Sequence, residues 1–342
     1  MRVAVYYSNR DIRIKEVPAP KIGPGELLVR VDASGICGSD VMEWYRIDKV
    51  PLILGHEIAG EIVKVGEGVE RYEKGQRITA SHHVPCNTCH YCLTGHNTMC
   101  ETIRKTNFDP GGFAEYIRLP AINVDRGVYP LPDKVSFEEG TFVEPLACVF
   151  RGQKMAQMEP GLNVLVVGSG IAGLLHIQLA RSMGAGKIIA TDINESRLDL
   201  ALKFGADFTI HASEDLPEKL REVNDGMLAD RVIVSTGAES AITQSLKSVE
   251  RGGVILLFAT TEPGVTIPMP LNEIFWRTEA TITSTYAGSP ADHLVALELI
   301  RSGNIRVKEM ITHRFGLNDI TKGFQLVANP KDSLKVIIEP QK

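Results

Sequence analysis

Residues 163–192, NVLVVGSGIAGLLHIQLARSMGAGKIIATD, decide the fold. The apolar run 163–167 predicts a buried strand, and the turn GSGIAG at 168–173 leads into a pattern that predicts a helix over 171–183. A second strand, predicted over 187–191, ends at Asp192. A G-x-G-x-x-G string alone is weak evidence in a chain with 31 glycines. Set between a strand and a helix, with an acid about 20 residues further on, it is the fingerprint of a dinucleotide site.

This turn predicts how the cofactor is held. The glycines let a pyrophosphate approach the helix N-terminus, and a carboxylate at Asp192 would pair with the ribose hydroxyls and repel a 2′-phosphate. NAD is therefore favoured over NADP. Arg197 could contact the adenosine ribose, with a solvated helix face as the alternative. The other predicted cofactor-binding residues are Gly168, Gly170, Ile171, Ala172 and Gly173.

The pattern on either side of this stretch predicts an α/β protein. Strand-helix alternation continues beyond Asp192, and six strands would complete a doubly wound parallel Rossmann sheet. The first 85 residues instead contain short alternating runs and Gly/Pro turns, which is typical of antiparallel β structure. The tail from Ala287 is mixed and is expected to fold back onto that first region.

Composition limits the function classes. The chain has 342 residues, 44% hydrophobic and 23% charged, which is typical of a soluble globular protein of two domains. The net charge of −5 gives no reason to expect nucleic acid. The N-terminus lacks the pattern of a signal peptide, and the most apolar window, 161–180, is broken by glycines, so neither secretion nor a membrane span is expected. The cysteines are arranged as for metal chemistry in a reducing cytoplasm and not as for disulfides.

Four cysteines predict a structural zinc site. Cys86, Cys89, Cys92 and Cys100 follow the spacing C-x2-C-x2-C-x7-C. Four thiolates leave no coordination position open, so such a site is structural. The alternatives are an iron-sulfur cluster or free thiols.

A second group of residues predicts a catalytic metal. Residues 35–57 begin GICGSD and end GHE, and so bring together a thiol, a hydroxyl, an imidazole and two carboxylates. Cys37 and His56 are ligand types that zinc prefers, although each alone is more often a core residue. Glu144 stands in an apolar run, where a carboxylate needs a partner, and is the candidate third ligand.

Taken together, these motifs resemble the zinc-dependent medium-chain alcohol dehydrogenases, in the polyol, butanediol and threonine dehydrogenase branch, over essentially the whole chain. The resemblance implies a split GroES-like catalytic domain (1–147 and 288–342) around a Rossmann domain (148–287), with the active site in the cleft between them. It also implies two zinc ions per chain. The catalytic zinc would be held by Cys37, His56 and Glu144, with Glu57 a direct ligand in some states.

The implied reaction is NAD-dependent oxidation of a secondary alcohol by hydride transfer from a zinc-bound alkoxide. Ser39 would take the hydroxyl proton, and Asp40 would hold the second nitrogen of His56. Lys335 resembles a position that often carries a base near the cofactor phosphates, with a solvated lysine as the alternative. Trp44 and Tyr45 are candidates for the substrate pocket, with core packing as the alternative.

One departure from the family affects the proton relay. Members commonly carry a histidine two residues after the Asp40 position, where this chain has Met42. The hypothesis is that Glu43, His82 or His83, or water, completes the relay.

Several questions stay open in the sequence. The substrate could be a polyol, diol, cyclitol, sugar or 3-hydroxy amino acid. A metal-free reductase of carbonyls or quinones is the alternative in the same superfamily, and a zinc-ribbon interaction protein is the alternative in another class. A homo-oligomer, dimer or tetramer, is expected by family resemblance, with a cytoplasmic location.

Overall fold

The structure, a computed structural model, describes residues 1–331 and 333–342. It divides into two compact units, Met1–Ala147 with Ala287–Lys342, and Cys148–Tyr286. The expected domain boundary at 287/288 therefore differs from the observed one by a single residue. Among the described residues, no helix is long and apolar enough to cross a membrane.

Strands with short connecting helices precede Val143, and mostly longer helices alternate with strands beyond it. The strands are β1 Arg2–Ser8, β2 Asp11–Glu16, β3 Leu27–Gly35, β4 Glu57–Val65, β5 Arg77–Ala80, β6 Tyr116–Leu119, β7 Val128–Pro130, β8 Val164–Val167, β9 Ile188–Asp192, β10 Phe208–His211, β11 Ala229–Val234, β12 Val249–Leu257, β13 Thr281–Ser284, β14 Ile311–Gly316 and β15 Lys335–Glu339. The α-helices are α1 Glu43–Arg46, α2 His90–Leu93, α3 Ala121–Arg126, α4 Phe137–Gly140, α5 Val143–Met155, α6 Ile171–Ser182, α7 Glu195–Lys203, α8 Leu216–Val223, α9 Glu239–Leu246, α10 Leu271–Phe275, α11 Pro290–Ser302 and α12 Ile320–Ala328. Short 3₁₀ turns lie at Gly38–Asp40, Ile47–Lys49, Asn97–Met99, Lys308–Met310 and Leu317–Asp319.

The second unit contains the predicted six-stranded parallel sheet. Its strand order is β10-β9-β8-β11-β12-β13, and every neighbouring pair is parallel. All four residues of β8 are buried. Strands covered on both faces need such unbroken apolar runs, which explains why the sequence reads as a run and not as an alternation. The Rossmann prediction is confirmed.

The first unit is built around a mostly antiparallel sheet. Its order is β14-β15-β3-β4-β5-β7, with β6 also paired to β3 and with β1-β2 as a separate hairpin. Strand β3 lies at the centre and pairs with β4 along most of its length. The C-terminal strand β15 joins it through Ile337 opposite Gly35, so the tail folds back onto the first region as expected.

The segment after Cys37 contains two short helical elements. A 3₁₀ turn ends at Asp40, and α1 begins at Glu43. The Asp40 carboxylate turns back and accepts a hydrogen bond from the Cys37 backbone N–H at 3.0 Å. This capping box holds the carboxylate inside the turn, and it buries Asp40 completely.

Candidate active site and metal sites

Cys37 is placed by the end of β3 and by the 3₁₀ turn that follows. It is the N-cap of this turn, and its Sγ accepts the Ser39 backbone N–H at 3.5 Å. The Ser39 hydroxyl donates to the same sulfur, also at 3.5 Å. These two hydrogen bonds fix the position of the sulfur at the start of the turn.

His56 lies next to Cys37 and is oriented by Asp40. Its Nδ1 is 3.4 Å from Asp40 Oδ1, which leaves Nε2 for a metal. Burial by itself disfavours a charged imidazole, but the negative charges of Asp40 and Cys37 outweigh it and raise the pKa of His56 well above its usual value. A metal ion at Nε2 must therefore displace a proton, so metal binding here depends on pH.

Glu57 completes a three-residue cluster. One ligand atom from each of Cys37, His56 and Glu57 lies within 4.8 Å of the others. A thiol, an imidazole and a carboxylate at this spacing fit a zinc ion that keeps a position open. The cluster forms because Gly55 has φ +94° just before His56, where a Cβ would lie 2.7 Å from the Phe113 backbone nitrogen.

Glu57 also forms a buried ion pair with Lys335. The Lys335 Nζ contacts Glu57 Oε2, and the two side chains are 2% and 1% exposed. The suggestion that Lys335 is a solvated residue is wrong. Gly35 makes room for the pair, because a Cβ there would lie 2.6 Å from Lys335 Cε.

Glu144 lies in the first turn of α5 and is 8% exposed. It is not among the three residues whose ligand atoms cluster within 4.8 Å in the described part of the chain. Its role at the catalytic zinc remains a prediction.

The three candidates for the proton relay, Glu43, His82 and His83, differ in exposure, contacts and pKa. Glu43 is exposed, and its carboxylate accepts the Asn9 backbone N–H at 3.2 Å. Burial, with the nearby positive charges of His56 and Arg46, lowers the pKa of His83 to about 4 against the effect of the Thr106 carbonyl. His82, whose ring centroid is 4.8 Å from that of His56, has a pKa well below its usual value, mainly through burial.

The cysteine lobe brings its four sulfurs together. Ligand atoms of Cys86, Cys89, Cys92 and Cys100 lie within 4.8 Å of one another, and all are free thiols. The Thr88 backbone and hydroxyl donate to Cys86 and, with the Cys89 backbone N–H, lower its pKa to about 5. Burial instead raises the pKa of Cys92 to about 12. Such a set cannot ionise together without a cation, which fits a structural zinc site.

The glycine turn lies between β8 and α6, as predicted. Gly168 has φ +92°, and a Cβ on Gly173 would collide with the Gly168 carbonyl oxygen. Both positions therefore require glycine. Gly170 is the N-cap of α6, which begins at Ile171 and continues through Ala172.

Asp192 ends β9 beside this turn and is 7% exposed. Its Oδ2 accepts the Ser169 backbone N–H at 2.8 Å, and its Oδ1 accepts that of Asn194 at 3.0 Å. Arg197 Nη1 lies 3.9 Å from Asp192 Oδ2. The predicted adenosine-binding residues are thus adjacent to one another.

Sequence reasoning missed two contacts of the site. The first is the pairing of Lys335 with Glu57, and the second is Arg46, whose guanidinium contacts Ser39. The only sequence signal for the first was a lysine within an otherwise apolar closing strand.

Comparison with known proteins agrees with this arrangement. The chain matches the alcohol dehydrogenase GroES-like domain over residues 23–133 and the zinc-binding dehydrogenase domain over 172–302. It is 33% identical to sorbitol dehydrogenase of Gallus gallus, covering 94% of this chain and 91% of that protein. It is 34% identical to L-threonine 3-dehydrogenase of Bacillus licheniformis, covering 94% of each. A solved structure from Sinorhizobium meliloti, described as a zinc-binding dehydrogenase and bound to NADP, has a TM-score of 0.88 at 28% identity over 99% of both chains.

The fold and the two clusters of candidate zinc-binding side chains define a zinc-binding oxidoreductase with a nucleotide-binding domain. The chain belongs to the zinc-dependent medium-chain alcohol dehydrogenase family, in the branch of the polyol and threonine dehydrogenases. The family prediction made from the motifs is confirmed.

Proposed function

We propose that the protein oxidises a secondary alcohol to a ketone and reduces NAD, releasing one proton per turnover. The main support for this proposal is the cluster of Cys37, His56 and Glu57. The Ser39 hydroxyl lies at its edge and donates a hydrogen bond to the Cys37 sulfur. When bound there, zinc acts as a Lewis acid that lowers the pKa of an alcohol. Polyols, diols, cyclitols, sugars and 3-hydroxy amino acids are the candidate substrates, in line with the relatives named sorbitol and threonine dehydrogenase.

Each residue of the cluster has a part in this proposal. Cys37, His56 and Glu57 would hold the metal, with Glu144 as a further candidate ligand. Asp40 keeps His56 in the tautomer that offers Nε2. Ser39 accepts the alcohol proton and passes it towards solvent. Lys335 pairs with Glu57, so this carboxylate would not be an unpaired buried charge if it did not hold the metal.

NAD is the proposed cofactor because of Asp192. Two backbone N–H groups bond its carboxylate and hold it in place beside the glycine turn. A fixed negative charge there accepts hydrogen bonds from ribose hydroxyls and repels a 2′-phosphate. Since one structural relative is bound to NADP, both cofactors need testing.

The test is a panel of these alcohols, assayed by nucleotide reduction with NAD and with NADP after zinc loading. The proposal expects NADH formation with at least one class and a lower rate with NADP. A protein that reacts with none of them contradicts the proposed reaction, and a preference for NADP contradicts the role of Asp192. Metal analysis should give one ion for each of the two clusters, and Cys37→Ser should remove one of them. A metal-free reductase would hold only the ion of the cysteine lobe.

The proposal extends to assembly and location. Strand β13 is the last strand of the six-stranded sheet and pairs only with β12 in the described part of the chain. An open edge of this kind is a natural pairing surface, so we expect a homo-oligomer, which sedimentation would detect. The free thiols suit a reducing cytoplasm.

A further inference from the structure

The segment that follows the Cys37 turn carries two cations around one aromatic ring. We call residues 43–49 the Tyr45 loop. Arg46 Cζ lies 4.6 Å from the centroid of the Tyr45 ring, and Lys49 Nζ lies 3.8 Å from it. Trp44 and Tyr45 are 38% and 42% exposed, so the alternative that they are core residues is wrong. Their polar neighbours are accessible to a small molecule.

Arg46 connects this loop to the proposed proton acceptor. Its Nε donates to the Ser39 carbonyl oxygen at 3.1 Å, and its Nη2 lies 3.5 Å from Ser39 Oγ. The side chain is only 15% exposed. Within the described residues, its Nη1 group donates to no protein acceptor. A guanidinium this close to the reacting hydroxyl therefore keeps part of its donor capacity unused.

Glu43 and Asp48 make this loop neutral overall, but neither carboxylate forms an ion pair with Arg46 or Lys49 among the described residues. Asp40 Oδ1 lies 3.8 Å from Arg46 Nη2, at the outer limit of an ion pair, and it lies closer to His56. Lys49 has no carboxylate within 4.0 Å among the residues that the structure describes. Like charges held around one ring repel each other unless an anion lies between or beside them.

A purely structural role for Arg46 would explain its bond to the Ser39 carbonyl. It would not explain the unused Nη1 group or the position of Lys49. We propose that Arg46, assisted by Lys49, binds an anionic group of the substrate, a carboxylate or a phosphate ester, carried on a carbon near the alcohol that is oxidised. This inference rests on the proposed function, because it takes Ser39 as the proton acceptor beside the reacting alcohol.

Chemistry supports Arg46 as the main contact. The Nη1 group of Arg46 can donate to a carboxylate or phosphate oxygen, and the guanidinium lies over the Tyr45 ring. Lys49 is more exposed and acts as a point charge, so it contributes less.

The test compares substrates that differ only in the anion. Glycerol is paired with glycerol 1-phosphate, and 1,3-butanediol with 3-hydroxybutyrate, so that phosphate and carboxylate are separate arms. We expect a lower KM for at least one anionic member than for its neutral partner. Arg46→Gln should raise the KM of the anion about 10- to 100-fold, the usual effect of losing a charge-assisted hydrogen bond, and should raise the KM of the neutral partner clearly less, whereas any change at Ser39 should lower kcat for both. Lys49→Gln should raise it about two- to fivefold, as for an exposed charge.

A second arm measures binding without turnover. Calorimetric titration of the zinc-loaded protein with glycerol 1-phosphate and with 3-hydroxybutyrate should show binding that Arg46→Gln and Lys49→Gln both weaken. Lys74→Gln, at an exposed lysine of the same unit, controls for general charge effects and should bind normally. If Arg46→Gln does not fold, Lys49→Gln still tests the inference.

The outcomes are distinguishable. Equal binding of neutral and anionic members, or an equal rise of both KM values in Arg46→Gln, overturns the inference and leaves the dehydrogenase function standing. If no substrate supports nucleotide reduction, the proposed function is wrong. The calorimetric titrations would still show whether Arg46 and Lys49 bind the anion.

Discussion

Replacing Lys335 by methionine tests the buried ion pair with Glu57 and the metal site together. Methionine fills a similar volume without a charge, so the substitution leaves the Glu57 carboxylate buried and unpaired. Both side chains are almost fully buried, at 2% and 1% exposure, which is the situation in which removing one partner is costly. In the zinc-free protein we expect a loss of about 3–5 kcal/mol in the free energy of unfolding.

The zinc-loaded protein should respond differently. If Glu57 is a ligand, the metal supplies the positive charge that Lys335 no longer provides, so the loss should shrink on zinc loading. Because Lys335 and the metal compete for the same carboxylate, Lys335→Met should also bind the catalytic zinc more tightly. Urea denaturation with and without zinc, and competition with a chromogenic chelator, would measure these two effects.

The matched control is Lys342→Met. Lys342 pairs with Glu339 at 2.7 Å, but its side chain is 67% exposed, so its loss should cost only about 0–1 kcal/mol. Equal small losses in the two variants would refute the buried pair. A large loss at Lys335 with unchanged zinc affinity would keep the pair but remove Glu57 from the ligand set.

Three further predictions concern other parts of the molecule. Burial lowers the pKa of His176 to about 3, so below about pH 6.5 the unfolded chain takes up a proton that the folded chain does not bind. The free energy of unfolding should therefore fall by about 1.4 kcal/mol per pH unit between pH 6.5 and 3. In acid denaturation, His176→Gln should flatten that slope, whereas His90→Gln, at an exposed histidine, should not. Cys89→Ser should lose the zinc of the cysteine lobe and keep the other, as measured by metal analysis, and retention of both ions would contradict a four-thiolate site. Glu43→Gln should leave the pH-rate profile unchanged, since Glu43 is exposed and bonded to the Asn9 backbone, and a shifted profile would return Glu43 to the proton relay.

The parts of the fold that sequence could predict are those encoded locally. The glycine turn, its flanking strand and helix, and Asp192 lie within 30 positions, and each has a residue type that the conformation requires. The cysteine lobe is similar, because its spacing alone brings four sulfurs together. Such features need no knowledge of how distant segments pair.

Features that depend on distant pairing were not predictable. Lys335 meets Glu57 across 278 positions, because β15 pairs with β3 and β3 pairs with β4. Nothing in the sequence specifies that register. The break between Asp40 and Glu43 has a different origin, since the Asp40 side chain bonds the Cys37 backbone and closes a separate turn before α1.

Met42 and Arg46 together limit how a proton can leave the site. A methionine thioether at position 42 carries no exchangeable proton, so the relay that family members build there is absent. Arg46 reaches Ser39, but a guanidinium has only donors and stays charged at any working pH, so it can stabilise negative charge on the Ser39 oxygen without accepting its proton. If Ser39 takes the alcohol proton as proposed, water at the partly exposed Tyr45 loop is the acceptor that best fits these contacts. The positive charge beside Ser39 comes from Arg46 and not from Met42, and it would favour both an alkoxide and the proposed anionic substrate for one physical reason.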